Sequence, residues 1–177
     1  MMIQNIVRHT SDEARELRGL FEKQLKESLW TESKLAGMLS DIIENVFSGD
    51  LEELVKKQSR ETAGHILRIE KIFTLIGIPA DTLPYQAIQC YIDEAFIVSE
   101  NTRQGVVRDA ALIAMLQKVK HYEIACYGTM RAYAIALKEE DVITLLEQIL
   151  NEEKEADLAL SYIAESHINI EAADKEI

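Results

Sequence analysis

Two groups of residues in this chain share types and a spacing that suit metal ions. Glu32 is followed 29 residues later by Glu61 and then by His65, and Glu123 is followed 30 residues later by Glu153 and then by Asp157. Glu61/His65 and Glu153/Asp157 are i,i+4 pairs, so on a helix each pair stacks on one face. Glu32 and Glu123 interrupt apolar stripes, where an isolated charge is costly. Two helical hairpins, each giving one carboxylate from its first helix and two ligands from its second, would converge on a dinuclear site inside a four-helix bundle. Five carboxylates and one imidazole brought together without cations repel one another, and two divalent ions relieve the repulsion. Mixed oxygen and nitrogen ligation suits iron or manganese better than a closed structural zinc site. The expected ligands of two Fe or Mn ions are therefore Glu32, Glu61, His65, Glu123, Glu153 and Asp157.

The elements that would position them are long helices. The first begins after Ser11, an N-cap with Asp12 and Glu13 in the first turn. Its stripe is Leu17, Phe21, Leu25, Leu29, Leu35, Leu39 and Ile43, and Glu32 falls in the gap between Leu29 and Leu35. Ser48-Gly49-Asp50 stops it, with Gly49 as the terminator and Asp50 as the next cap. A second helix over 51–75 carries Glu61 and His65 on a polar seam beside an apolar face, and Gly77 ends it. A short helix over 85–100 follows the stretch that contains Pro79 and Pro84 and serves as the crossover between hairpins. The third long helix, 105–137, reads Leu112, Leu116, Val119, Glu123, Tyr127, Met130, and the fourth covers 142–166. A polar tail after His167 is expected to fray. The organisation read here is a single all-α, ferritin-like helical bundle domain over 1–177, with its core in 11–166 and one additional short helix in the crossover.

Composition agrees with this class. The chain has 177 residues, enough for one domain with a real core. With 47% hydrophobic and 28% charged residues it is neither a disordered polyelectrolyte nor a membrane protein. Only 7 glycines and 2 prolines punctuate it, too few for a sheet-rich fold. No apolar run approaches the roughly 18 residues that span a bilayer, and no membrane partner is expected. The start lacks an apolar signal core, so a cytoplasmic location is expected. A net charge of −12 argues against a nucleic-acid partner, because phosphate binding needs clustered Lys and Arg. Cys90 and Cys126 have no zinc spacing and read as small buried thiols of a reduced protein. Two cysteines also fall short of the four thiolates of an electron-transfer iron site.

The plainer reading keeps the same residues without metal. Each Glu taken alone is a surface or interhelical salt-bridge residue, and an i,i+4 Glu/His pair on a helix is common. The matched spacing in both halves is what favours a site. His121 points away from Glu123 and reads as a packed, hydrogen-bonded core histidine. Tyr127, one turn after Glu123, reads as a core residue with a satisfied hydroxyl. Asp109, Glu94 and Asp93 read as helix-to-helix contacts.

The segment Val107-Arg108-Asp109-Ala110-Ala111-Leu112-Ile113-Ala114, continued by Gln117-Lys118-Val119-Lys120-His121-Tyr122-Glu123-Ile124-Ala125 and Tyr127-Gly128-Thr129, carries a family resemblance. Leu25-Lys26-Glu27 with Glu32, Glu61-Thr62-Ala63-Gly64-His65 with Arg68, and Glu152-Glu153 with Asp157 extend it over 17–164. The chain resembles the bacterial ferritin-like, stress-associated proteins of the YciE/YciF type. That resemblance implies a ferritin-like bundle with an extra short helix, a homodimer and a dinuclear metal centre. The family is associated with stress responses but supplies no reaction, and the first functional expectation is a protein that acts in stress through metal, oxygen or peroxide chemistry. The alternative is a non-catalytic dimeric bundle, a structural or interaction protein with a metal-free polar seam. The sequence departs from the family pattern at Gln89 and at Lys120, where many members carry Glu. A lysine there either stands in for a cation or points to solvent.

Overall fold

The computed structural model describes residues 16–174, and among these every regular element is helical. α1 spans Leu17–Asn45, α2 Gly49–Leu75, α3 Gln86–Asn101, α4 Val106–Leu137 and α5 Glu140–Ile163. A π-helical turn, Ala164–Ile168, leads into α6, Asn169–Asp174. The hairpins α1/α2 and α4/α5 pack together through α2 on α5 and α1 on α4, closing a four-helix bundle, and α3 lies against α1 and α4. This is the all-α bundle with a short crossover helix that the sequence predicts. The expected cap Ser11 lies outside the described residues.

Three-to-four spacing sets each buried face. In α1 the row Phe21, Leu25, Leu29, Glu32, Leu35, Leu39 and Ile42 is buried throughout. The apolar core that results is in two parts. One is built on residues such as Leu39, Leu51, Leu112 and Leu160. The other, toward the opposite end, is built on residues such as Phe21, Phe73, Met130 and Ile149. Between them lies a layer of buried polar side chains: Glu32, His65, Lys120, Glu123 and Glu153.

The turn between α1 and α2 departs from the sequence reading. Gly49 is the first residue of α2 rather than the terminator of α1, and Ser48 rather than Asp50 holds the N-cap position. The capping comes from far along the chain. The buried Asp109 of α4 accepts the Phe47 N–H at 3.0 Å and the Ser48 N–H at 2.7 Å. A carboxylate on backbone N–H groups at a helix start is favoured by hydrogen bonding and by the helix dipole. Asp109→Ala is expected to lower stability by about 3 kcal/mol, because charge-assisted bonds are lost and two N–H groups are stranded. Urea denaturation measures it, and a loss below about 1 kcal/mol would mean that water replaces the carboxylate.

The crossover is tied back to α1. Leu83 N–H donates to the Lys26 carbonyl at 3.2 Å, and the Lys26 ammonium pairs with Asp81 at 2.9 Å. Tyr85 stacks on Tyr122 of α4, with ring centroids 5.5 Å apart. In α3 the buried row is Ile88, Ile92 and Ala95. Cys90 stands on the opposite face and is exposed, and Cys126 is only partly buried, so neither is the buried thiol expected. His121 is also exposed rather than packed in the core. The tail does not fray at His167: helix continues to Asp174. The π turn adds a residue to the helical repeat and so carries Ile168 into the core, where it is fully buried. Among the described residues no helix is long and apolar enough to cross a membrane.

Candidate metal centre

Each long helix brings polar groups to the middle layer at positions its periodicity would otherwise give to leucine. α1 presents Glu32, and α2 presents His65 within the buried row Gln58, Thr62, His65, Ile69 and Ile72. α4 presents Lys120, Glu123 and Tyr127, spaced i, i+3 and i+7, and α5 presents Glu153. All of these side chains are at most 2% exposed as residues.

His65 is held from outside the layer. Its Nε2 lies 2.9 Å from Glu152, and the same carboxylate takes a two-pronged pair from Arg68 at 2.6 and 2.8 Å. A carboxylate on one ring nitrogen fixes the tautomer and turns the other nitrogen toward the site. That other nitrogen, Nδ1, lies 3.3 Å from Glu32 Oε1 and 3.4 Å from Glu153 Oε1. Neither contact has hydrogen-bond geometry, so Nδ1 is a buried atom without a hydrogen-bond partner. Glu32 Oε2 and Glu123 Oε1 are buried and unpartnered as well.

The second hairpin is neutralised differently. Lys120 Nζ donates to Glu123 Oε2 at 2.7 Å and to Glu153 Oε2 at 2.6 Å. Tyr127 donates its hydroxyl to Glu32 Oε1. The sequence offered cation or solvent for Lys120, and the structure gives cation.

Burial and mutual charge set the protonation states. Burial alone would pull the His65 imidazole down, but the close Glu32 carboxylate, with Glu153 and Glu123 behind it, pushes it up to about 9. Burial, then Glu123, pushes Glu153 up to about 7 against the pull of Lys120 and His65. Glu123 is raised chiefly by burial, with Lys120 opposing. Burial disfavours the Lys120 ammonium, yet Glu123 and Glu153 outweigh it and keep the group charged. Burial, together with the neighbouring carboxylates, keeps the proton on Tyr127. Glu152 is lowered: burial raises it, but Arg68 and His65 prevail.

Of the six expected ligands the fold brings four together: Glu32, His65, Glu123 and Glu153. Glu61 is partly exposed and pairs with Lys57 at 3.3 Å. Asp157 faces His121 at 3.6 Å. In α5 it is Ala156, not Asp157, that enters the core. Sequence reasoning gave no role to Glu152 as the partner of His65. Its signal was the His65/Arg68 pair, one turn apart and both suited to a single carboxylate. Among the described residues no three His, Cys, Asp or Glu side chains already stand as a metal cage. Lys120 and Tyr127 hold oxygens that such a cage would use.

The donor types gathered here, one imidazole and three carboxylates, are those that iron and manganese take. Ligand atoms around a single cation with bonds of roughly 2.0–2.2 Å are separated by about 3.0–3.4 Å. The Nδ1–oxygen separations of 3.3 and 3.4 Å match that edge, and the orphaned Glu32 and Glu123 oxygens add donors of the right type.

Known proteins share this architecture. The family profile described as a domain of unknown function, DUF892, matches residues 16–173. Protein YciF of Escherichia coli (strain K12) is 32% identical over 160 residues, 90% of this chain and 96% of that protein. The crystal structure of the E. coli stress protein YciF superposes with a TM-score of 0.84, covering 88% of this chain and 99% of that one. YcfI from Rhodopseudomonas palustris gives 0.81 at 32% identity, over 85% and 96% of the two chains. At 15% identity, a structure of ferritin-like, diiron-carboxylate proteins from Bacillus anthracis str. Ames gives 0.64 over 85% of this chain and 99% of that chain, a likeness of fold. The bundle has the ferritin-like fold, and on its sequence match the chain belongs to the DUF892 family.

Proposed function

We propose that this protein is a ferritin-like metal-binding bundle that holds iron or manganese in its middle layer and serves in stress through metal, oxygen or peroxide chemistry. The observation that carries the reading is His65. Its Nε2 is locked by the Arg68-held Glu152, and its Nδ1 faces Glu32 and Glu153 without a hydrogen bond. Glu32, His65 and Glu153 would hold the ion, with Glu123 completing the set. When bound, the metal supplies a redox or Lewis-acid centre. The chain's own part is to hold the imidazole in one tautomer, exclude water through two apolar half-cores, and keep a proton on Tyr127 beside Glu32. E. coli YciF is described as a stress protein, which supports the setting. The homodimer implied by the resemblance belongs to the proposal and is checked by light scattering.

Elemental analysis of protein purified without chelator tests the reading. Glu152→Ala is expected to weaken Fe(II) or Mn(II) affinity about 10–100-fold, as loss of a group orienting a ligand does, while the helical spectrum is kept. Affinity unchanged by both Glu152→Ala and His65→Ala would remove the site. The second reading, a metal-free ion-pair layer in a non-catalytic bundle, is favoured by Lys120. It stands if neither metal is retained and neither moves the melting temperature.

A further inference from the structure

The two halves of the middle layer are built alike but completed differently. Buried atoms without hydrogen-bond partners occur in both halves, His65 Nδ1 and Glu32 Oε2 in the α1/α2 half and Glu123 Oε1 and Asp157 Oδ1 in the α4/α5 half, but only the second half also carries a buried cation of its own. The α4/α5 half ends in a lysine. Lys120 lies one turn before Glu123, and its Nζ stands 2.7 Å from Glu123 Oε2 and 2.6 Å from Glu153 Oε2. A metal ion joining those two oxygens would need bonds of roughly 2.0–2.2 Å to the same atoms that the ammonium now holds, and so would compete with it for them. The ammonium and a divalent ion are alternatives at that one position, since each would neutralise the same two carboxylate oxygens.

We propose that Lys120 is a tethered cation occupying the second metal position, so that the chain binds a single metal ion, on the side of the layer where Glu32 and His65 of the first hairpin meet Glu153 of the second. This rests on the metal reading above and sharpens it, since a reaction that needs two adjacent metal ions is closed to this chain. It also explains why Glu61 and Asp157 are free to pair with Lys57 and His121: one ion does not need six protein ligands.

The test counts Mn(II) per chain in the full-length protein after desalting, with the electron paramagnetic resonance spectrum as a second readout. The wild type and Lys120→Arg, which keeps the charge, are expected to hold one ion with the six-line spectrum of isolated Mn(II). Lys120→Gln and Lys120→Glu are expected to hold two, with the six-line signal replaced by that of a coupled pair. A wild type with two ions, or variants that stay at one, overturns this proposal and leaves the metal reading standing. A wild type that binds none overturns both. If neither neutralising nor acidic variant folds, the wild-type count and spectrum decide.

Discussion

Lys120→Met, in protein stripped of metal, is expected to lose about 3–5 kcal/mol of stability, the loss typical when one partner of a buried ion pair is removed. For a chain of this size that is a fall of roughly 10–15 °C in melting temperature. Glu123 and Glu153 would be left without the ammonium that now bonds both. One of them must then take up a proton, and burial already raises both carboxyls in that direction. Lys57→Met is the control. It removes a partly exposed i,i+4 pair with Glu61 and should cost no more than about 0.5 kcal/mol. Equal losses in the two variants would mean that water, rather than the ion-pair layer, solvates these carboxylates.

The second large effect concerns pH. The His65 imidazole is raised from 6.5 to about 9 in the folded protein. Its contribution to stability is therefore fully present below about 6.5 and is lost as pH rises through 9, on the order of 3 kcal/mol in all. Glu153 is raised from 4.5 to about 7. The folded form then holds that proton longer than the unfolded chain, so stability again falls as pH rises from 4.5 to 7. Glu152 is lowered, and its share is lost only on acidification. Metal-free protein should thus be most stable in mild acid and lose stability steadily up to pH 9. Bound metal reverses the slope, since it needs His65 Nδ1 free of a proton and so competes better at higher pH. Thermal melts from pH 5 to 9, with EDTA or with Mn(II), measure both slopes. A flat profile with EDTA would show that neither His65 nor Glu153 holds its proton more tightly in the folded protein than in the unfolded chain.

What the sequence made legible was whatever depends on periodicity along a single helix. Glu32 and Glu123 betrayed themselves by sitting in apolar rows, and both are buried in the layer. The i,i+4 rule was less discriminating. Glu61 and His65 share a face, but the buried row of α2 passes through Gln58, Thr62, His65 and Ile69, leaving Glu61 at its edge within reach of Lys57. Matching the halves made Asp157 the mate of His65, yet the inward register of α5 runs through Glu153, Ala156 and Leu160. Contacts between distant segments were not legible. The charge of Lys120 is a property of its residue type, but its place between Glu123 and Glu153 depends on how α4 meets α5. The start of α2 was misread for the same kind of reason, because its cap, Asp109, lies 62 residues from Phe47.

The division of the core by a polar layer also decides which alignment of the helices the chain can adopt. Leucine and isoleucine recur on every inner face, so sliding one hairpin along the other by a turn, about 5.4 Å, would still bring apolar side chains into contact. The ions do not tolerate such a slip. His65 of α2 would lose Glu152 of α5, Glu32 of α1 would lose the Tyr127 hydroxyl of α4, and both buried groups would meet hydrocarbon. Buried polar groups are best attested as devices that fix register, often at a cost in stability. In this bundle the hydrophobic rows supply cohesion along the whole length, and a few charges at mid-height supply the vernier that aligns it.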